Sequence, residues 1–219
     1  MPKEKLLEIY NALHSHYGPQ HWWPGETPFE VMVGAVLTQN TNWGNVERAL
    51  ANLKDADKLL PEAIDNMPEE ELAGLIRPSG YFNVKTKRLK AFVRYFIERY
   101  EGSIERMKRE DCIKLRQEVL AVNGIGPETA DDILLYAFER PVFVIDAYTR
   151  RLFARLGLIA GDEGYETLRH AIERALGPDV QLFNEYHALI VAQAKEVCRV
   201  RPRCGNCVLR KGCPGRSDD

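Results

Sequence analysis

The chain has 219 residues, of which 45% are hydrophobic and 28% are charged. This balance excludes a disordered chain and allows one domain or two small lobes with a buried core. The formal net charge is −2 at pH 7, so any surface that binds an acidic polymer has to be local. The sequence begins with a polar, amphipathic segment and contains no stretch apolar enough to span a bilayer, so we expect a cytoplasmic protein without a membrane partner.

Hydrophobic residues recur at helical spacing along most of the chain, which predicts an all-α fold. In chain order, this spacing indicates helices over Leu6–Tyr17, Phe29–Leu37, Leu89–Tyr100 and Leu168–Leu176. The short apolar run Val142–Ile145 is the one candidate strand. The sequence shows no internal repeat and no low-complexity tract.

A glycine-containing turn interrupts the helical pattern in the middle of the chain. The turn reads Asn123-Gly124-Ile125-Gly126, and Pro127 suits the first position of the helix that follows. The new helix presents unpaired backbone N–H groups beside two residues without side chains, where an anion can approach closely. Taken alone, the pattern favours an ordinary helical hairpin with glycine in its turn.

A single carboxylate, Asp146, follows the apolar run Val142–Ile145 twenty residues after the turn. In one interpretation Asp146 caps the N-terminus of a helix that starts here. In the other it is a partly desolvated carboxylate that stabilises an oxocarbenium-like sugar or orients a water. Asp146 can serve both as the helix cap and as the catalytic carboxylate.

The turn and Asp146 together resemble the helix-hairpin-helix DNA glycosylases, the endonuclease III superfamily. The resemblance extends from about Trp22 to the C-terminal cysteines. It implies that Gly124 and Gly126 bind a DNA phosphate and that Asp146 is catalytic. It also implies two helical lobes, residues 22–140 and residues 1–21 plus 141–219, with Asp146 and the hairpin facing the cleft between them. The expected partner is double-stranded DNA containing damaged bases, bound by a monomer.

Four cysteines near the C-terminus follow the pattern C-x5-C-x2-C-x5-C: Cys198, Cys204, Cys207 and Cys213. Four thiolates this close can surround one metal centre, and cysteine ligates both iron–sulfur clusters and zinc. In a chain without an export signal, metal binding is favoured over disulfides. The endonuclease III cluster motif is similar, although its first gap is one residue longer. This resemblance implies a [4Fe-4S] cluster held by residues 198–213, with zinc as the alternative.

The sequence also lacks a residue that strand-cutting glycosylases need. Such enzymes use a lysine amine to form a Schiff base with the sugar. In the endonuclease III pattern that lysine lies just after the hairpin, at the position of Glu128, and this chain has no lysine between Lys114 and Lys195. A carboxylate cannot form an imine, so we expect a monofunctional enzyme without AP lyase activity. Glu128 alternatively serves as a first-turn acid favoured by the helix dipole.

Three early segments are similar to the bacterial 3-methyladenine glycosylases of this superfamily: Trp22-Trp23-Pro24, Leu37–Trp43 and Arg77–Asn83. This similarity includes an acid at the Glu128 position. An N-alkylated purine is cationic, and indole is the aromatic face that binds a cation best. The expected base pocket therefore consists of Trp22, Trp23, Pro24, Trp43 and Glu128. The alternative is that the tryptophans are core or lobe-packing residues.

Two further residues match positions that fill the gap left by a flipped nucleotide in this superfamily. Gln39 can hydrogen-bond the orphaned partner base, Tyr81 can wedge into the base stack, and Gly80 lets the loop approach the duplex. The alternatives are a helix-end amide and a surface aromatic residue. Two basic clusters could also form a local DNA-binding face or a solvated surface: Lys85, Lys87, Arg88 and Lys90; and Arg199, Arg201, Arg203, Arg210 and Lys211.

The sequence therefore predicts an all-α, two-lobed DNA glycosylase of base excision repair that releases alkylated purines, with 3-methyladenine as the expected substrate. One alternative is an endonuclease III-type enzyme for oxidised pyrimidines or mismatched bases. The other is a non-catalytic DNA-binding module. Asp146 argues against the module, because phosphate binding alone needs no acid in an apolar setting.

Overall fold

A computed structural model of the chain describes residues 1–22 and 25–217. The chain divides into two compact units, one formed by Met1–Trp22 with Pro141–Asp219 and the other by Trp23–Arg140. All regular elements within the described residues are helical, which confirms the all-α prediction. In that part of the chain, no helix is long and apolar enough to cross a membrane.

The α-helices follow one another with short connections. In chain order they are α1 (Lys3–Tyr17), α2 (Pro28–Leu37), α3 (Trp43–Asp55), α4 (Pro61–Asn66), α5 (Glu69–Leu75), α6 (Phe82–Tyr100), α7 (Ile104–Lys108), α8 (Cys112–Ala121), α9 (Pro127–Asp132), α10 (Ala147–Arg155), α11 (Tyr165–Leu176) and α12 (Val180–Glu196). Short 3-10 turns cover Arg77–Ser79, Cys204–Asn206 and Arg210–Gly212, and a π-helical turn, Ile133–Ala137, continues α9.

The core of the unit Trp23–Arg140 is built around α2 and α6. Helix α2 is apolar except for Glu30 and is buried from Phe29 to Leu37, as expected for a central helix. It begins at Pro28, after Thr27 accepts a hydrogen bond from the backbone N–H of Glu30. Helix α6 buries one stripe at helical spacing: Leu89, Phe92, Val93 and Phe96. Gln39 follows the C-terminal end of α2, and Tyr81 directly precedes the first residue of α6.

The core of the other unit lies between α1, α10 and α12. Tyr186 of α12 is fully buried, and its hydroxyl donates a hydrogen bond of 2.8 Å to the carbonyl oxygen of Leu6 in α1. The rings of Phe143 and Phe153 pack around the Tyr186 ring. A small set of aromatic side chains therefore joins the N-terminal helix to the C-terminal part of the chain.

The run Val142–Ile145 is buried and, among the described residues, belongs to neither a helix nor a strand. Side chains, rather than a neighbouring strand, bind its backbone. The N–H of Phe143 donates to the Glu173 carboxylate at 3.0 Å, and the N–H of Ile145 donates to the Tyr165 hydroxyl at 3.3 Å. The segment is therefore held against α11, which carries both partners, and it delivers Asp146 to the start of α10.

Candidate active site

The hairpin, residues 123–126, joins α8 to α9, and its two glycines serve different purposes. Gly124 has a φ of +88°, and a Cβ there would overlap the Arg88 side chain, so only glycine fits. Gly126 has an ordinary φ of −93°, and a Cβ there would meet nothing within 4 Å. The first glycine is required by the turn, whereas the second leaves open space in front of the backbone.

A buried ion pair fixes the two helices of the hairpin. Arg116 of α8 donates two hydrogen bonds to Asp131 of α9, at 2.6 and 3.1 Å, and the Asp131 side chain is fully buried. Ile125 is buried between the two glycines. Separation of the two side chains would leave a buried charge without its partner, which is costly. The ion pair therefore holds the two helices of the hairpin in one geometry. Pro127 is the first residue of α9, as predicted.

The Gln39 amide, which follows α2, is bound to the hairpin. Its Nε2 donates to the carbonyl oxygen of Gly124 and to the hydroxyl of Thr129, each at 3.1 Å. Its Oε1 accepts a hydrogen bond from the guanidinium of Arg88. The structure therefore brings Gln39 together with Gly124, two residues that the sequence assigns to different tasks on DNA.

Lys85 corrects one sequence-based interpretation, because it does not belong to an exposed basic cluster. Its side chain is buried, and its Nζ donates to the carbonyl oxygens of Leu37 at 2.8 Å and Ser79 at 2.6 Å. Burial, with a smaller contribution from the charge of Arg88, lowers the pKa of Lys85 to about 8. Lys85 thus joins the end of α2 to the 3-10 turn that precedes Tyr81.

Tyr81 lies at the tip of an unusual turn. Gly80 and Tyr81 have positive φ values of 70° and 46°, and a Cβ on Gly80 would meet nothing within 4 Å. A left-handed conformation is costly for a bulky residue and is concentrated at functional sites. Tyr81 is also 71% exposed. The turn therefore carries an exposed aromatic ring on a strained backbone.

Asp146 is the N-cap of α10, as predicted, and its two carboxylate oxygens have different partners. Oδ1 accepts a 2.6 Å hydrogen bond from the backbone N–H of Thr149. Oδ2 lies 3.5 Å from Nε2 of His187 in α12. Burial raises the pKa of Asp146, but the contacts with His187 and Thr149 outweigh it and hold the pKa below its usual value. The carboxylate is therefore ionised at neutral pH.

Sequence reasoning missed His187, which contacts both Asp146 and Trp22. The His187 ring is buried and stacks on the Trp22 ring, with centroids 5.5 Å apart and an interplanar angle of 23°. His187 lies forty-one residues after Asp146, in a helix that is buried on several faces. Its position in the sequence therefore gives no signal of this contact.

The other residues assigned to the base pocket lie in different surroundings. Trp43 is half-buried at the start of α3, packs on Gly34 and lines a cavity together with Glu26 and Glu47. Glu128 is exposed in the first turn of α9. Trp23 and Pro24 lie outside the described residues.

The four C-terminal cysteines line one small cavity, and each sulfur has a polar contact. Arg155 donates to Cys198 Sγ and Gln193 to Cys207 Sγ, both at 3.2 Å, while the N–H of Ser217 donates to Cys204 Sγ at 3.4 Å. Cys213 Sγ contacts the carbonyl oxygen of Arg155 at 3.3 Å. N–H donors directed at sulfur suit metal-bound thiolates. Across residues 1–22 and 25–217, no three His, Cys, Asp or Glu side chains are spaced to hold a single ion.

The hairpin, the capped Asp146 and the all-helical fold define the class of protein. Residues 33–178 match the HhH-GPD superfamily of base excision DNA repair proteins, and the chain belongs to this superfamily. It is a DNA glycosylase of base excision repair.

Several relatives and solved structures resemble most of the chain. A Methanocaldococcus jannaschii protein, named only provisionally as a DNA repair glycosylase, is 47% identical over 211 residues, with 96% of each chain covered. Endonuclease III of Thermotoga maritima is 28% identical over 187 residues, covering 85% of this chain and 82% of its own.

Among solved structures, H. pylori 3-methyladenine DNA glycosylase bound to 1,N6-ethenoadenine has a TM-score of 0.76 and 33% identity, with 90% of this chain and 98% of that one covered. An endonuclease III–DNA complex has a TM-score of 0.83 at 20% identity, with 98% and 96% covered, and shares the fold.

Proposed function

We propose that this protein is a monofunctional DNA glycosylase that hydrolyses the N-glycosidic bond of alkylated purines, with 3-methyladenine as the preferred substrate. The observation that carries the proposal is the Asp146 carboxylate, which is mostly buried yet held ionised at the start of α10. A fixed negative charge of this kind stabilises the positive charge that develops on the sugar as the base leaves. It can also accept a proton from the attacking water.

An ionised carboxylate cannot donate a proton to the departing base. The substrate that suits this site is therefore a base that leaves without acid assistance. An N-alkylated purine meets this condition because it already carries a positive charge. The indoles of Trp22, Trp23 and Trp43, with Pro24, would supply apolar and π surface for such a cation. The 33% identity to an H. pylori 3-methyladenine glycosylase supports the same substrate class.

Glu128, the second residue after the hairpin, supports hydrolysis without strand cleavage. Glu128 occupies the first turn of α9, and a carboxylate has no amine with which to form a Schiff base. As an exposed acid near the hairpin, Glu128 would instead contribute negative charge to the proposed base pocket.

The proposed DNA contacts come from three loops. The hairpin at Gly124 and Gly126 would hold a backbone phosphate, because the open space at Gly126 lets an anion approach the backbone. The exposed ring of Tyr81, next to Gly80, would enter the base stack. Gln39 would face the orphaned base while its amide remains close to the hairpin. Double-stranded DNA with a damaged base is therefore the proposed partner.

The four cysteines would hold a [4Fe-4S] cluster that ties residues 198–213 into one structure when it is bound. Two observations support this proposal: four thiols line one cavity, and N–H groups point at three of the sulfurs. Protein purified without oxygen should be yellow-brown and contain iron and sulfide. A colourless protein with one zinc ion per chain would contradict the cluster, although not the glycosylase.

A set of duplexes, each containing one defined lesion, tests the proposed function. After incubation, each duplex is divided and analysed with and without alkaline cleavage. The proposal expects strand breaks only after alkali and only with alkylated purines. The alternative, an endonuclease III-like enzyme for oxidised pyrimidines or mismatches, is favoured by the 28% identity to the Thermotoga maritima protein. That enzyme would release oxidised pyrimidines, and a non-catalytic module would release nothing.

A further inference from the structure

His187 is a buried polar residue for which packing alone gives no reason. It lies in α12, it is 4% exposed, and its neighbours Tyr186 and Ala188 are also buried. A leucine or phenylalanine could fill such a position without the cost of burying an imidazole. The ring contacts two residues that the proposed function uses, Asp146 and Trp22.

The contact with Asp146 completes the restraint of the carboxylate. Oδ1 is fixed by the backbone N–H of Thr149, so rotation of the carboxylate would break the helix cap. Oδ2 lies at ion-pair distance, 3.5 Å, from Nε2 of His187. With a partner at each oxygen, the carboxylate keeps one orientation, and a donor at Oδ2 favours its charged form.

The imidazole of His187 also stacks on the Trp22 indole, with ring centroids 5.5 Å apart. Offset-stacked rings at this distance stabilise one another, so each fixes the plane of the other. His187 therefore supports both Trp22, which is proposed to stack on the base, and Asp146, which is proposed to act on the sugar.

We propose that His187 is a positioning residue that orients the Asp146 carboxylate for base release and fixes the plane of the Trp22 indole. This inference rests on the proposed function, in which Asp146 is catalytic. His187 need not touch the substrate. Its effect on the reaction passes through its contacts with Asp146 and Trp22.

Two substitutions separate the two contacts. His187→Phe keeps an aromatic ring against Trp22 and removes the polar contact with Asp146. It should lower the single-turnover rate of base release about 10- to 100-fold, the scale of one hydrogen bond to a charged group, with less than about a twofold change in affinity for an abasic-site duplex. His187→Gln keeps a donor but loses the ring, and it should lose less in rate than His187→Phe.

A double-mutant cycle with Asp146→Asn is the decisive test, measured on whichever base the wild-type protein releases. If His187 acts through Asp146, His187→Phe should have little further effect on the residual rate of Asp146→Asn. Phe183→Leu serves as the matched control, because Phe183 is a buried ring one turn earlier in α12 that packs on Phe143. This control should lower the thermal unfolding midpoint while the rate of base release is retained.

The inference would be overturned if the rate loss in the double variant equalled the product of the losses in the two single variants. It would also be overturned if His187→Phe lost no more rate than Phe183→Leu. If His187→Phe does not fold, the same cycle with His187→Gln decides. Because the cycle uses any released base, a wrong substrate assignment does not affect it. A wild-type protein that releases no base at all contradicts the proposed function and this inference together.

Discussion

The side-chain amide of Gln39 donates a 3.1 Å hydrogen bond to the carbonyl oxygen of Gly124, so the loop after α2 is attached to the hairpin. The same amide contacts Thr129 and Arg88. Gln39 therefore orders the turn that is proposed to bind a phosphate, in addition to its proposed contact with the orphaned base. A substitution at Gln39 should affect both.

Gln39→Ala should lower the affinity for an abasic-site duplex about tenfold, because two hydrogen bonds that order the hairpin are lost. The loss should persist on a duplex that also lacks the base opposite the abasic site. Fluorescence anisotropy with the two duplexes measures this difference. If the loss disappeared when the opposite base was absent, Gln39 would contact only that base, and the hairpin contact would have no role in binding.

Asp146→Asn should preserve the fold and the binding of DNA while base release falls about 10²-fold or more, a typical scale for a charge-stabilising or acid–base group. Asparagine is also a good N-cap, so the bond from the Thr149 N–H can be retained. Single-turnover rates and affinity for an abasic-site duplex are the two measurements. Excision close to the wild-type rate would rule out Asp146 as the catalytic group.

The buried amine of Lys85 should make the free energy of unfolding depend on pH in the alkaline range. The pKa of its amine is about 8 in the folded protein, against an ordinary value of 10.5. Between about pH 8 and pH 10.5 the unfolded chain binds the extra proton, so this group increases the free energy of unfolding as the pH rises. Below pH 8 the buried charge is a cost in the folded state.

Lys85→Met should therefore flatten the change in unfolding free energy between pH 8 and pH 10.5, as measured by urea titrations across that range. Lys87→Met removes an exposed lysine two residues away and is the matched control, whose curve should stay parallel to the wild-type curve. Parallel curves for Lys85→Met and the wild type would show that the Lys85 amine stays protonated throughout.

The helices that bury one stripe could be predicted from the sequence, whereas the contacts between side chains could not. Helix α6 shows the apolar spacing from Leu89 to Tyr100, but the polar residues Lys85 and Thr86 interrupt its buried stripe, so its start at Phe82 had no signal. Helix α12 escaped notice because it is buried on several faces and shows no single stripe. His187 was missed with it.

Lys85 and Asp146 also show that the contacts of a side chain could not be predicted from the sequence. Lys85 was grouped with its basic neighbours because sequence proximity suggests a shared surface, yet the structure uses its amine to bind two buried carbonyls. For Asp146, the apolar run before it predicted the cap correctly. The pairing of its second oxygen depends on α12, which sequence order does not bring near.

The wild-type protein should form no covalent complex with an abasic-site duplex in the presence of borohydride, because Glu128 stands where an amine would be needed. Glu128→Lys provides a positive control, since it places an amine in the exposed first turn of α9. A denaturing gel distinguishes free from trapped DNA. A trapped adduct with the wild-type protein would show that another amine acts as the nucleophile and would contradict the monofunctional assignment.

The most direct test of the central claim compares the release of two bases by the wild-type protein under one set of conditions. Duplexes containing 3-methyladenine or thymine glycol are incubated with excess protein, and the free base is measured over time. Because Asp146 is ionised and the proposed pocket favours a cation, 3-methyladenine should be released much faster. Release of thymine glycol without release of 3-methyladenine would contradict the account and assign the protein to oxidised pyrimidines.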